Sequence, residues 1–215
     1  MSRLGRWWRS WVSVLSRTED GRALAAFRIG IGLSLLYTFV LPLLDGAIAP
    51  IWLDNDFGGM RNLSKPPWLI ALLGGATPTV IWGTIAAVIG CGLLLVLGIW
   101  ARVAALIGMV LMNNSSWLNS HAVGGHDDLI ANALWLLVFA NSTATWSLRC
   151  RLKHGQWSSD EQVMSWPRQL AVAQLIVMYS STGLQKLSAH WVPFGDMTAL
   201  WYILQQPTWA RYDLT

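Results

Sequence analysis

Arg168–Trp191 reads RQLAVAQLIVMYSSTGLQKLSAHW, and what this run is decides what kind of chain carries it. After Arg168 and as far as Leu187 its apolar residues are broken only by small or neutral polar residues and one cation, Lys186. Lys186 follows Arg168 by 18 positions, roughly 27 Å along a helix at about 1.5 Å per residue. That is close to one hydrocarbon thickness, so the run predicts a membrane crossing with Lys186 at the far interface. Thr182 and Tyr179 precede Lys186 at helical spacing and share its face. Gln174, Met178, Ser181 and Gln185 form a neighbouring, partly polar stripe. A helix facing only lipid needs neither stripe. Two readings of Lys186 stay open: a snorkelling lysine marking the end of a span, and a partly desolvated amine able to act as a base.

The rest of the composition agrees with a membrane setting. Of 215 residues 54% are hydrophobic and only 12% charged, against about 25% charged in soluble domains. The 15 tryptophans suit bilayer interfaces, where the ring is buried and the indole N–H stays wet. The formal net charge of +4 follows topology and is no nucleic-acid signal. The two cysteines make no disulfide framework, and no metal-ligand spacing, phosphate loop or serine-hydrolase motif is present.

The expected architecture is all-α: a polytopic helix bundle of about five spans, an N-terminal interfacial helix and a C-terminal re-entrant or interfacial helix. Residues 1–20 are basic and Trp-rich, with Trp7, Trp8 and Trp11 at helical spacing. Spans are expected at about Ala23–Leu44, Pro78–Gly98, Val103–Trp117, Asp127–Ala144 and from Arg168 to Lys186–Leu187. Arg28, inside the first span, can snorkel to the starting side or face a polar interior; the sequence favours snorkelling. The 45–77 loop holds a short helix at Trp68–Leu73. The third span turns polar at its end, where Asn113, Ser116 and Ser120 share a face. HAVGGHDDL then gives a turn at Gly124 and Gly125, a capping Asp127 or Asp128, and Asn132 one turn on. His126 reads either as a turn histidine or as an acid/base group. Met197, Leu200, Trp201 and Leu204 mark a last helix ended by Pro207.

Ten of the 15 Lys and Arg residues fall on one side of this plan. The N-terminus is therefore expected in the cytoplasm of a multi-pass protein of the cell membrane, with His121, His126 and Lys186 on the extracytoplasmic face.

Gly183–Trp191, GLQKLSAHW, resembles the G-x-x-K-L-x-x-x-W segment of vitamin K-dependent gamma-carboxylase and of its bacterial relatives, the horizontally transferred transmembrane (HTTM) domain family. GGHDDL followed by TWSL resembles a second block, with His126 preceding Trp146-Ser147 by twenty residues. RALAAFRIGIGLSLLY resembles the family's first span. The domain plan is a basic segment at 1–20, an HTTM-like domain at 21–207 and a tail at 208–215. Relatives continue with further membrane segments, so the domain is expected to be incomplete at its C-terminus. The resemblance implies Lys186 as the base that deprotonates a quinol and His126 as a second catalytic group. Tyr179, Thr182, Asn113, Ser116, Asp128, Asn132 and Trp191 would form the substrate pocket. Reduced vitamin K or another quinol is the implied cofactor, and the lipid bilayer the implied surrounding. The carboxylase's paired lysines are here Gln185 and Lys186, and its large lumenal portion is absent. The expected function is thus a carboxylase-like or quinol-dependent membrane enzyme. The alternative is a non-catalytic integral membrane partner or maturation factor for another protein.

Overall fold

The computed structural model describes residues 3–119, 122–192 and 194–205. Ser120, His121, Pro207, Arg211 and the 208–215 tail lie outside the described residues. The described residues are 68% helical, and the chain divides into two compact units, the first ending at Gln169 and the second beginning at Leu170.

The first unit opens with α1 (Arg3–Leu15), whose Trp7, Trp8 and Trp11 are all exposed. A strand, β1 (Thr18–Asp20), leads into α2 (Gly21–Leu44), where the Asp20 carboxylate accepts the Arg22 N–H at 3.0 Å and starts the helix. Two short helices, α3 (Ile48–Trp52) and α4 (Trp68–Leu72), sit in the connection to α5 (Pro78–Leu97). Pro78 suits a first helical turn, and Gly98 closes α5 in a left-handed conformation, giving its N–H to the Leu94 and Leu95 carbonyls. Then follow α6 (Ala101–Leu118), α7 (Gly125–Phe139), α8 (Leu148–His154) and a strand, β2 (Gln162–Met164), antiparallel to β1. Glu19 on β1 takes both Nε and Nη2 of Arg168, at 2.8 and 2.6 Å, a two-point charged hydrogen bond. Arg168 lies in the first turns of α9 (Trp166–Gln185).

Four long helices make the core. α2 packs on α5, α5 on α6, α6 on α7, and α7 back on α2. Leu35, Val88, Leu95, Ala105, Leu134 and Leu137 are fully enclosed between them. Small residues let the first pair come close. A methyl group on Gly32 would lie 2.9 Å from Val96 Cγ2 and 3.0 Å from the Gly92 carbonyl oxygen. This is the packing by which helices associate when lipid offers no hydrophobic drive. Outward, α2 and α5 show Leu33, Leu41, Leu44, Leu93 and Leu97. Among the described residues these two helices are long and apolar enough to cross a membrane. Helices also occupy the other three expected stretches, but α7, at 15 residues, measures only about 22 Å. The two cysteines, Cys91 and Cys150, are free and buried.

Two expectations are corrected here. Arg28 does not snorkel: it is 0% exposed and turned into the protein. Its Nη1 donates to the Ser142 carbonyl at 3.1 Å and its Nη2 to the Trp146 carbonyl at 2.6 Å. The fourth helix ends at Phe139 and does not run on to Ala144. The reason is the same contact: carbonyls that would have continued α7 serve as acceptors for arginines, with Arg102 Nε taking the Ala140 carbonyl at 3.1 Å. Trp146 adopts a left-handed conformation at φ 48°, and Ser147 caps α8 through the Cys150 N–H at 2.9 Å. Gly98 closes this joint from the other side: a methyl group there would lie 2.2 Å from Arg28 Nη1 and 2.4 Å from Ser147 Cβ.

Gly98→Ala should therefore lower stability, by about 1–3 kcal/mol from backbone strain alone, with steric conflict added. Arg28→Met should cost about 2–4 kcal/mol, by leaving the Ser142 and Trp146 carbonyls unpaired. Thermal unfolding of the purified protein in detergent checks both, with exposed Gly30→Ala as the neutral comparison.

Candidate functional site

At the end of the bundle where α2 finishes and α7 begins, the first unit encloses a cavity of about 220 Å³. Its floor is built by α3. The Trp52 indole stacks on Phe39 with ring centroids 5.7 Å apart, and its N–H donates to the Ser115 carbonyl at 3.2 Å. Asn119 Nδ2 donates to the Ile51 carbonyl at 3.1 Å, and Asn114 Oδ1 accepts the Leu69 N–H at 3.2 Å. The polar end of α6 thus holds the 45–77 connection in place. The inward set is Asn114, Ser115 and Asn119, whereas Asn113 is exposed.

Apolar walls come from Phe39, Leu41, Pro42 and Ile51, and polar groups from Tyr37, Thr38, Ser116, His126 and Asp127. Asp127 is buried, with a side chain only 8% exposed. Its Oδ2 accepts the Gly124 N–H at 2.7 Å, tying the start of α7, while Oδ1 lies 3.5 Å from His126 Nε2. Capping by Asp127 was legible in GGHDD; its contact with the imidazole was not. A methyl group on Gly124 would lie 2.6 Å from His126 Nδ1, so glycine leaves the ring its place. The site therefore combines a carboxylate, an imidazole, a phenol and hydroxyls with an apolar wall. Such a set can hold the polar head of a largely apolar molecule.

Of the residues picked from sequence, Ser116 and His126 line this cavity. Asp128 and Asn132 are exposed on α7. Tyr179, Thr182, Lys186 and Trp191 belong to the second unit. There Tyr179 is exposed, and the Thr182 hydroxyl donates to the Met178 carbonyl at 2.9 Å. Lys186 follows the last turn of α9, its N–H reaching the Gly183 carbonyl at 3.1 Å. Its Nζ stands 5.6 Å from the centroid of the Trp191 ring, a cation–π contact. A polar knot follows, which sequence reasoning missed. His190 Nδ1 lies 2.9 Å from the Asp196 carboxylate, and the Thr198 hydroxyl and N–H donate to the same carboxylate at 2.9 and 3.2 Å. Thr198 opens α10 (Thr198–Leu204), seven residues long and too short to span. The H-x-x-x-x-x-D-x-T spacing was the available signal.

The HTTM domain family model matches residues 16–208, nearly the whole chain. The chain belongs to the HTTM domain family. That membership relates it to the membrane domain of the gamma-carboxylase, and together with the two apolar helices it makes this HTTM chain a membrane protein. No curated protein and no solved structure matches it. Trp146-Ser147, one of the family-like pairs, serves as the Arg28 acceptor and the α8 cap in this HTTM domain.

The Thr198 hydrogen bonds, and secondarily His190, hold the Asp196 carboxyl below its usual value of 3.8. A depressed carboxyl stabilises its surroundings above that value and loses the effect as pH falls through its own lower pKa. The protection of the Thr198 amide against hydrogen exchange, taken relative to its intrinsic rate at each pH, should thus hold down to about pH 4 and fall below it. Asp196→Asn should lower that protection to a value that no longer changes with pH.

Proposed function

We propose that this HTTM domain crosses the membrane five times with its N-terminus in the cytoplasm, and that it binds a quinol-type lipid. The single observation that supports the binding reading is the mixed cavity beside His126 and Asp127. At about 220 Å³ it is smaller than the roughly 300–1,000 Å³ of sites for drug-sized ligands. It suits a ring headgroup, whose tail would then lie along exposed Leu41 and Tyr37. The donor set fits a quinol: Ser116 and Tyr37 offer hydroxyls, and the Asp127-backed imidazole can accept a phenolic hydrogen bond. Reduced vitamin K is the quinol that family resemblance suggests.

A bound quinol would supply an ionisable phenolic O–H. His126 orients or takes that proton from its place on the first turn of α7. Lys186 is proposed as a base at the extracytoplasmic face, its amine accepting a proton to become an ammonium that the Trp191 ring then stabilises.

The test uses purified protein in detergent with a reduced short-chain naphthoquinone. His126→Ala and a cavity-filling Ser116→Trp should each weaken binding about tenfold or more. Lys186→Ala should bind normally while oxygen-dependent loss of the quinol falls by about a hundredfold or more. Equal binding and turnover in all three would remove the quinol reading. A second reading, a non-catalytic membrane partner or maturation factor, draws on the exposed apolar groove of Ile176, Val177 and Leu184 on α9. It gains if a stoichiometric partner co-purifies and both Lys186 and His126 prove dispensable.

A further inference from the structure

The end of the first unit where α5 stops and α6 starts carries a second concavity, separate from the cavity at His126. It is an open groove of about 640 Å³ lined by Ile99, Trp100, Arg149, Leu152 and Lys153. Its composition is unusual for a solvated surface: Trp100 is 75% and Leu152 82% exposed, yet both stand beside cations. Its walls are also built. Helix α8 is capped at its start by Ser147 and ends on Gly155 in a left-handed turn. Cys150 buries the helix's inner face. Arg149 and Lys153, four residues apart, share one face of the helix. Among the described residues neither makes an ion pair. Trp100 is held in a left-handed conformation at φ 46°, rare for a bulky residue.

The groove adjoins Leu97, the last residue of a helix apolar enough to cross a membrane. There the headgroup layer would surround it. Indole and leucine side chains suit the glycerol and upper acyl region, and two cations spaced one helical turn apart suit a phosphodiester. Charge complementarity excludes a neutral occupant as the favoured one. We infer that the Trp100–Arg149–Leu152–Lys153 groove binds one anionic phospholipid. Arg149 and Lys153 hold the phosphate, while Trp100, Ile99 and Leu152 support the glycerol and the first methylenes. The inference is independent of the quinol reading, since it uses other residues.

Native mass spectrometry of the full chain released from detergent tests it, with dioleoyl phosphatidylglycerol and dioleoyl phosphatidylcholine as probes. Wild type should retain one phosphatidylglycerol at least about tenfold more tightly than phosphatidylcholine. R149Q/K153Q should abolish that preference. Leu152→Ser should weaken both lipids while keeping the preference. R61Q/K65Q, which removes two cations from the 45–77 loop, should behave as wild type. Equal retention of the two lipids by wild type would overturn the inference. So would an unchanged preference in R149Q/K153Q, or an equal loss in R61Q/K65Q. Full displacement of the lipid by about 10 mM inorganic phosphate would also overturn it, reassigning the groove to a soluble anion.

Discussion

A guanidinium that makes no ion pair among the described residues organises the first unit. Arg28 sits in an apolar helix, fully enclosed, and two backbone carbonyls from the segment between α7 and α8 accept its hydrogen bonds. Burying a cation without a counter-charge is costly, and charged hydrogen bonds offset only part of the cost. Neither Arg28 Nε nor Ser142 Oγ finds a partner among the described residues. What the arrangement supplies is position. It stops α7, turns Trp146 into a left-handed corner, sets Ser147 where it can cap α8, and leaves room for nothing larger than glycine at 98. Three helices and a loop thereby share one joint.

The opposite end of the same bundle is held differently, by neutral amides and an indole. Asn114 and Asn119, at the end of α6, satisfy the Leu69 N–H and the Ile51 carbonyl of the 45–77 connection, and Trp52 of that connection donates back to the Ser115 carbonyl of α6. Such bonds contribute about 1 kcal/mol each, so the cavity wall should be softer than the arginine joint. One end of the bundle is thus fixed by a buried charged joint, and the other, which carries the cavity, by these neutral bonds.

Helix positions were readable because apolar runs, Pro78, Gly98 and Gly124-Gly125 mark starts and stops by local chemistry. Facing was not. α2 is apolar on every side, so no periodicity says which way Arg28 points. At the end of α6, Asn113 and Asn114 differ by about 100° around the helix, and either could have led inward. The choice fell to Asn114 because the Leu69 N–H needs an acceptor, a long-range demand with no local trace. Trp52 and Tyr37 escaped notice for the same reason: a tryptophan in a loop and a tyrosine inside an apolar helix are ordinary until the chain folds them together. Lys186 and Trp191 were legible as a motif, while the His190–Asp196–Thr198 knot beside them involves residue types common in any turn.

The separation between Arg28 and its acceptors has a consequence for biosynthesis. The Ser142 carbonyl lies 114 residues downstream. At about 5–20 residues per second of translation, the first apolar helix must wait on the order of ten seconds with its cation unanswered. During that interval the arginine can be satisfied only by water or by lipid phosphate, or by whatever receives the nascent helix. The final seat of α2 is therefore taken late, when α7 has arrived and not when α2 leaves the ribosome.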